Sequence, residues 1–311
     1  MAPPPSPRRI LVTGASGFVG RHLLPALAER FPDAEVMTAR SDLADADSVE
    51  AEVRQVLPDG CVHLAAVAAV AAAREDPDQA WRVNLGGTLA LARAILLHVP
   101  QCLLVFASSA DAYGESFRAG TPLDESAPLA PLNPYAATKA AADLALGAMV
   151  PEGLRVVRVR AFNHTGPGQA PAFAVPAFAR QAARVAAGLQ PPVLHVGNLE
   201  PRRDFLDVRD VCASYALCLA RADALPPGAI LNVASGTARR VGDVLDAVLR
   251  EAGVEARIET SAARLRPADL PIARGDAGLA RRVLGWAPSV TWTETLRDVV
   301  ADWRVRVAAG E

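Results

Sequence analysis

The stretch Thr13-Gly14-Ala15-Ser16-Gly17-Phe18-Val19-Gly20 constrains this chain more than any other, because three glycines three residues apart follow directly on the apolar run 10–13 and open a helical pattern. A strand that turns on glycine into a helix brings backbone N–H groups and the positive end of a helix dipole to one point, which suits a pyrophosphate. Glycines also mark ordinary turns, but three at this spacing between a strand and a helix make that the weaker explanation. On this reading Gly14, Ser16, Gly17, Phe18, Val19 and Gly20 line a dinucleotide.

Downstream, short apolar runs (35–39, 61–65, 103–107, 154–159) alternate with helical patterns at 18–30, 46–57, 78–98 and 135–149. This predicts an α/β fold with a Rossmann-type, doubly wound parallel sheet. Asp76-Pro77 and Asn133-Pro134 read as a cap followed by a first helical position. Beyond residue 165 the pattern loosens into proline-rich loops with shorter elements at 171–188, 192–196, 241–252 and 291–307. The expected division is an NAD(P)-binding domain over 1–165 and a smaller α/β substrate-binding lobe over 166–311, with segments of about 200–245 rejoining the large domain. Just past the second strand, Arg40 is placed for a ribose 2′-phosphate, where an acidic residue would instead accept the 2′-hydroxyl. This points to NADP(H), with NAD(H) the alternative. Asp42 and Leu43 would edge the adenine, although a solvated loop carboxylate is nearly as good an account of Asp42 alone.

The 311 residues are 51% hydrophobic, enough for a large core, and 32 basic side chains against 34 acidic ones leave a formal charge of −2. No global field draws such a chain to nucleic acid or to an acidic membrane, so anionic ligands must be held by local clusters. Cys61, Cys102, Cys212 and Cys218 have neither metal spacing nor paired histidines nearby, which argues against zinc or a disulfide framework. The proline-rich start lacks an apolar signal core, and the apolar run 64–73 is too short to span a bilayer. A soluble cytoplasmic protein without metal is expected.

Every basic side chain is arginine except Lys139, four residues after Tyr135. On a helix the two share a face. A compact ammonium bonds ribose hydroxyls and acts on a neighbouring phenol where a planar guanidinium does not fit. The bland account, a surface Tyr and Lys, leaves the glycine loop unused. A third member is expected from 106–114, FASSADAYG, where an apolar strand ends in hydroxyls at the edge where such sheets bind ligands. Ser109 is the candidate, since Ser108 points the other way if the strand alternation persists.

The motifs TGxxGFxG (13–20), HLAA (63–66), S-S-x-x-x-Y-G (108–114) and Y-x-x-x-K (135–139) together resemble the extended short-chain dehydrogenase/reductase superfamily. The resemblance implies that Tyr135 is the acid/base, that Lys139 tunes it and binds the ribose, and that Ser109 hydrogen-bonds the reacting oxygen. Leu64, Ala65, Ala66 and Asn84 match cofactor-lining positions. The second half is similar to GDP-sugar enzymes, particularly GDP-4-keto-6-deoxy-D-mannose reductases, through 161–169, 196–211, 232–246 and 264–271. It departs from them between Arg40 and Asp42, where the family usually has a third strand and a longer loop. By that resemblance Asn163 and His164 contact sugar phosphate and cofactor, Asn198 and Leu199 line the nucleotide pocket, Arg203 and Arg266 grip the diphosphate, and Asp269 accepts guanine N–H donors. Asp207 is expected only as a helix cap. The implied activity is NADPH-dependent reduction of a 4-keto sugar to GDP-D-rhamnose or its C4 epimer. Asp111 stands where GDP-mannose 4,6-dehydratases place a glutamate, so a dehydratase is the main rival, followed by an epimerase and a non-catalytic dinucleotide sensor. The family also implies a homodimer through helices 78–98 and 135–149.

Overall fold

The computed structural model describes residues 7–261 and 270–311. Arg266 and Asp269, expected at the nucleotide, lie outside them. The chain forms β1 (Arg9–Thr13), α1 (Phe18–Arg30), β2 (Glu35–Thr38), α2 (Ala46–Val56), β3 (Gly60–His63), α3 (Val70–Glu75), α4 (Pro77–Trp81), α5 (Thr88–His98), β4 (Leu103–Ser109), α6 (Pro134–Ala148) and β5 (Val156–Ala161). It continues through β6 (Asn163–Thr165), α7 (Ala174–Ala186), β7 (Val193–Val196), β8 (Arg202–Asp207), α8 (Val208–Ala220), β9 (Ile230–Val233) and β10 (Ala238–Arg240). The last elements are α9 (Val241–Ala252), β11 (Arg257–Thr260), β12 (Ile272–Ala273), α10 (Gly278–Leu284) and α11 (Trp292–Ala308).

Six strands form a parallel sheet in the order β2-β1-β3-β4-β5-β9. Helices cover both faces, so both sides of a strand are apolar. Ile10 and Val12 pack with Leu23, Leu27 and Tyr215 of α1 and α8. Leu11, Cys61 and Leu104 pack instead with Val53, Leu91 and Leu146 of α2, α5 and α6. The chain runs from β1 out to β2 and then crosses to β3 on the other side of β1, which makes the carboxyl ends of β1 and β3 the topological switch point.

Residues 77–98 are helical throughout, but not uniformly α-helical. A π-helical turn, Arg82–Gly87, separates α4 from α5. The bare Gly87 lets Leu43 approach, since a Cβ there would lie 2.7 Å from the Leu43 side chain. The caps do form: Asp76 accepts from Gln79 N–H at 2.9 Å and Asn133 from Ala136 N–H at 2.9 Å, each followed by proline.

In the second lobe β8 lies between β10 and β12 and also pairs with β6, while β7 pairs with β11. Phe178, Val244 and Trp303 of α7, α9 and α11 fill its core. Asp207 caps α8 by accepting from Arg209 N–H at 2.8 Å, then receives Thr295 Oγ1–H at 2.9 Å. β9 lies back beside β5 in the large sheet. Among the described residues no helix is long and apolar enough to cross a membrane.

Candidate active site

The first βα turn forms a cradle at the switch point. Gly14 has φ +70°, a left-handed conformation, and a Cβ on it would meet the Ala65 backbone nitrogen at 2.7 Å. Gly20 lies one turn into α1, where a Cβ would stand 2.5 Å from the Ala15 backbone. Ser16 and Gly17 remain exposed at the helix N-terminus, and Phe18 and Val19 are half-buried behind them. These groups fit a dinucleotide: the backbone approach is open and the donors converge. The Phe18 ring stacks on the His164 imidazole, with centroids 6.3 Å apart, and so joins the cradle to β6.

Arg40 is exposed just past β2. Its backbone N–H is clamped by Glu52 at 2.6 Å, while its guanidinium makes no hydrogen bond among the described residues. Asp42 is exposed, and its Oδ1 accepts from Ala44 N–H at 2.9 Å in a local turn. The Leu43 side chain is buried against Gly87.

Leu64, Ala65 and Ala66 follow β3 and face the cradle through Ala65. Asn84, expected to line the cofactor, is 1% exposed and spends its amide elsewhere. Its Oδ1 accepts from Val67 N–H at 2.7 Å, and its Nδ2 donates to Val67 O at 3.2 Å and Thr138 Oγ1 at 2.9 Å. Burial leaves no free polar atom on Asn84 for a ligand. It braces the loop that faces the cleft.

β4 ends in two hydroxyls of opposite fate. Ser108 is buried and donates to Asp143 at 2.7 Å; Ser109 stays half-buried at the edge and accepts from Asp111 N–H at 3.1 Å. Tyr135 and Lys139 occupy the first turns of α6 beside it. Burial pushes the Tyr135 phenol up to about 12, with the Asp111 charge adding to the rise and a hydrogen bond from Ser109 opposing it. Among these effects burial dominates. At neutral pH Tyr135 holds its proton, the form a proton donor needs. Lys139, 4% exposed, lies with Nζ 4.4 Å over the Phe106 ring. Burial pulls its ammonium down to about 7, and Asp143 opposes that pull.

Asp143, one turn beyond Lys139, escaped the sequence reading. Its carboxylate takes a two-point contact from Arg160, Nε–Oδ2 3.0 Å and Nη2–Oδ1 2.9 Å, together with Arg158 Nη1 at 3.3 Å. An acid four residues after the sole lysine was a readable signal. Tyr113, from the same S-S-x-x-x-Y-G stretch, donates to Asn232 at 2.8 Å and receives Arg160 at 3.1 Å, so it locks β5 and β9 together.

Across the sheet edge a cleft of about 430 Å³ opens in the second lobe. Asn163, His164, Asn198 and Arg203 line it together. Arg203 is anchored by donating to Leu270 O at 2.7 Å, and Asn198 accepts from Glu200 N–H at 3.1 Å. His164 bonds Phe162 O at 2.9 Å, and burial lowers its pKa. Leu199 is half-buried and packs on the lobe core rather than lining the cleft. Arg74 of α3 lines the cleft too. Nothing in its alanine-rich surroundings distinguishes it from a surface arginine.

A model of the NAD dependent epimerase/dehydratase family matches residues 10–234, and the chain belongs to that family. It is an extended short-chain dehydrogenase/reductase, an NAD(P)-dependent nucleotide-sugar oxidoreductase. It is 38% identical over 303 residues to the GDP-6-deoxy-D-mannose reductase of Pseudomonas aeruginosa, covering 96% of this chain and 98% of the relative. The solved structure of RMD from Pseudomonas aeruginosa complexed with NADPH superposes with a TM-score of 0.86 at 36% identity, covering 96% of this chain and 99% of the other. A UDP-glucose 4-epimerase of Streptomyces lividans is 31% identical, covering 90% of this chain and 92% of the relative.

Proposed function

We propose that the protein is an NADPH-dependent reductase of GDP-4-keto-6-deoxy-D-mannose, yielding a GDP-6-deoxyhexose, either GDP-D-rhamnose or its C4 epimer. The observation that carries this reading is that the likeness to GDP-6-deoxy-D-mannose reductase runs through both halves and so takes in the sugar cleft as well as the cradle. NADPH, when bound, supplies hydride to the sugar C4. Tyr135 donates its proton to the forming alkoxide, Ser109 hydrogen-bonds that oxygen, and Lys139 holds the nicotinamide ribose. Arg203 takes the diphosphate, with Asn163 and Asn198 beside it. The free guanidinium of Arg40 supports NADPH over NADH.

Asp111 favours a second reading. Its charge acts on the Tyr135 phenol, and a carboxylate there suits proton abstraction in a GDP-mannose 4,6-dehydratase. Incubation with NADPH and GDP-4-keto-6-deoxy-D-mannose should oxidise the cofactor. Conversion of GDP-mannose to the keto sugar without net oxidation would move the assignment to the dehydratase.

A homodimer in the cytoplasm completes the reading. Leu97 on α5 is 67% exposed and Leu144 on α6 is 60% exposed, an apolar surface on the two helices that would meet a second copy. The described cysteines are free and buried, as suits a reducing compartment.

A further inference from the structure

A line of buried hydrogen bonds runs from the cradle strand to the helix that carries Tyr135, and the direction of each bond can be assigned. Ala65 N–H donates to Thr13 Oγ1 at 3.2 Å, and Thr13 Oγ1 meets His63 Nδ1 at 2.6 Å. His63 Nε2 meets Thr88 Oγ1 at 2.9 Å, and that hydroxyl donates to Asn84 O at 2.7 Å. A carbonyl only accepts, so the Thr88 proton is spent on Asn84 and His63 Nε2 must carry hydrogen. Nδ1 is then bare and accepts from Thr13. Thus one neutral tautomer, assigned from the network, satisfies every group. Beyond the Asn84 backbone, Asn84 Nδ2 donates to Thr138 Oγ1 at 2.9 Å, and Thr138 donates to Tyr135 O at 2.8 Å. Thr13, His63, Asn84, Thr88 and Thr138 are each at most 3% exposed.

We infer that Asn84 and Thr138 are positioning residues that fix the loop 64–67, the floor of the cofactor cleft, relative to the turn of α6 bearing Tyr135. This rests on the reading that Tyr135 acts on a substrate at that cofactor. Asn84 holds both the N–H and the C=O of Val67 on one side and Thr138 on the other, so the hydride donor's floor and the proton donor's backbone share one amide. The π-helical turn Arg82–Gly87 sets Asn84 apart from the regular register of α5, as such turns often do where a side chain must be aimed. Every side-chain donor hydrogen of the five is engaged, so none is left to recruit another partner.

The test compares Thr138→Val, which keeps the shape and removes the hydroxyl, with Thr138→Ser, which keeps the hydroxyl. With NADPH and GDP-4-keto-6-deoxy-D-mannose, Thr138→Val should lower kcat by about 10- to 100-fold per folded molecule, leave the sugar KM within about twofold, and be rescued by Thr138→Ser. Equal kcat for wild type and Thr138→Val, or equal losses in Val and Ser variants that track their melting temperatures, would reduce Thr138 to a packing residue. Fluorescence titration of folded Asn84→Ala with NADPH alone should show affinity weakened about 10-fold, as for a misplaced binding loop. Unchanged NADPH affinity would overturn the role of Asn84. That titration needs no sugar, so it stands apart from the substrate assignment, which fails separately if the wild-type protein does not oxidise NADPH with the keto sugar.

Discussion

Around the cofactor the chain works with backbone and buried groups: Gly14 against Ala65, Gly20 against Ala15, and a hydrogen-bonded line of side chains closed to solvent. Around the cleft proposed for the sugar it works with side chains lining an open cavity, Asn163, Asn198, Arg203 and Arg74. The first half has no slack, since a methyl group at either glycine strikes main chain. In the second, Asn163, Asn198 and Arg74 are exposed and Arg203 is half-buried. One fold can thereby keep a fixed hydride site and vary what is reduced there. Tyr135 lies on the seam between the two, on a helix whose buried face belongs to the rigid half.

If that contrast is right, damage at the seam costs most. Tyr135→Phe removes the proton donor without altering the packing, and kcat should fall roughly 10³-fold while NADPH affinity stays constant. Within the sugar half, Arg203→Ala should raise the sugar-nucleotide KM by about 10- to 100-fold, the worth of a charge-assisted contact, and leave NADPH binding untouched in the same titration. A matching loss of NADPH affinity would dissolve the distinction between the halves. Arg40→Ala should erode the preference for NADPH over NADH by about 10-fold in kcat/KM ratios, a smaller effect because the group is exposed.

The smallest effect concerns pH. Burial, with Lys139 nearby, holds His63 down to about 3 from an ordinary 6.5. Between those values the unfolded chain binds a proton that the folded one refuses, so stability is present above 6.5 and lost as pH falls towards 3. The slope from this residue is at most about 1.4 kcal/mol per pH unit. His63→Asn, which keeps one donor and one acceptor, should flatten urea midpoints measured between pH 4.5 and 6.5; an unchanged slope would mean that His63 is charged in the folded state.

Legibility in the sequence followed the same contrast. The glycine loop, the alternating strands and the caps at Asp76 and Asn133 were readable because each rests on local rules of sterics and hydrogen bonding. Lys139 and Tyr135 were marked by spacing and by the absence of any other lysine. The π-helical turn at Arg82–Gly87 was hidden, because the apolar period persists across it. Asn84 was found but misplaced: sequence shows a polar group on a helix face, not that Val67 and Thr138 claim it. Sequence position alone did not show that Asp42 closes a turn onto Ala44 or that the Leu43 side chain is buried. Arg74 reaches the cleft only through the placement of α3, which no short-range pattern encodes.

The central claim is that hydride passes once from the nicotinamide to the sugar C4 while Tyr135 supplies the proton. A single turnover with NADPH deuterated at the transferred C4 position, followed by NMR of the sugar product, tests it directly. Deuterium at sugar C4, with one NADPH consumed per 6-deoxyhexose formed, is the predicted result. Deuterium at C6, or a product formed with no deuterium and no net oxidation, would contradict it and assign the site to internal hydride return, as in a dehydratase or an epimerase.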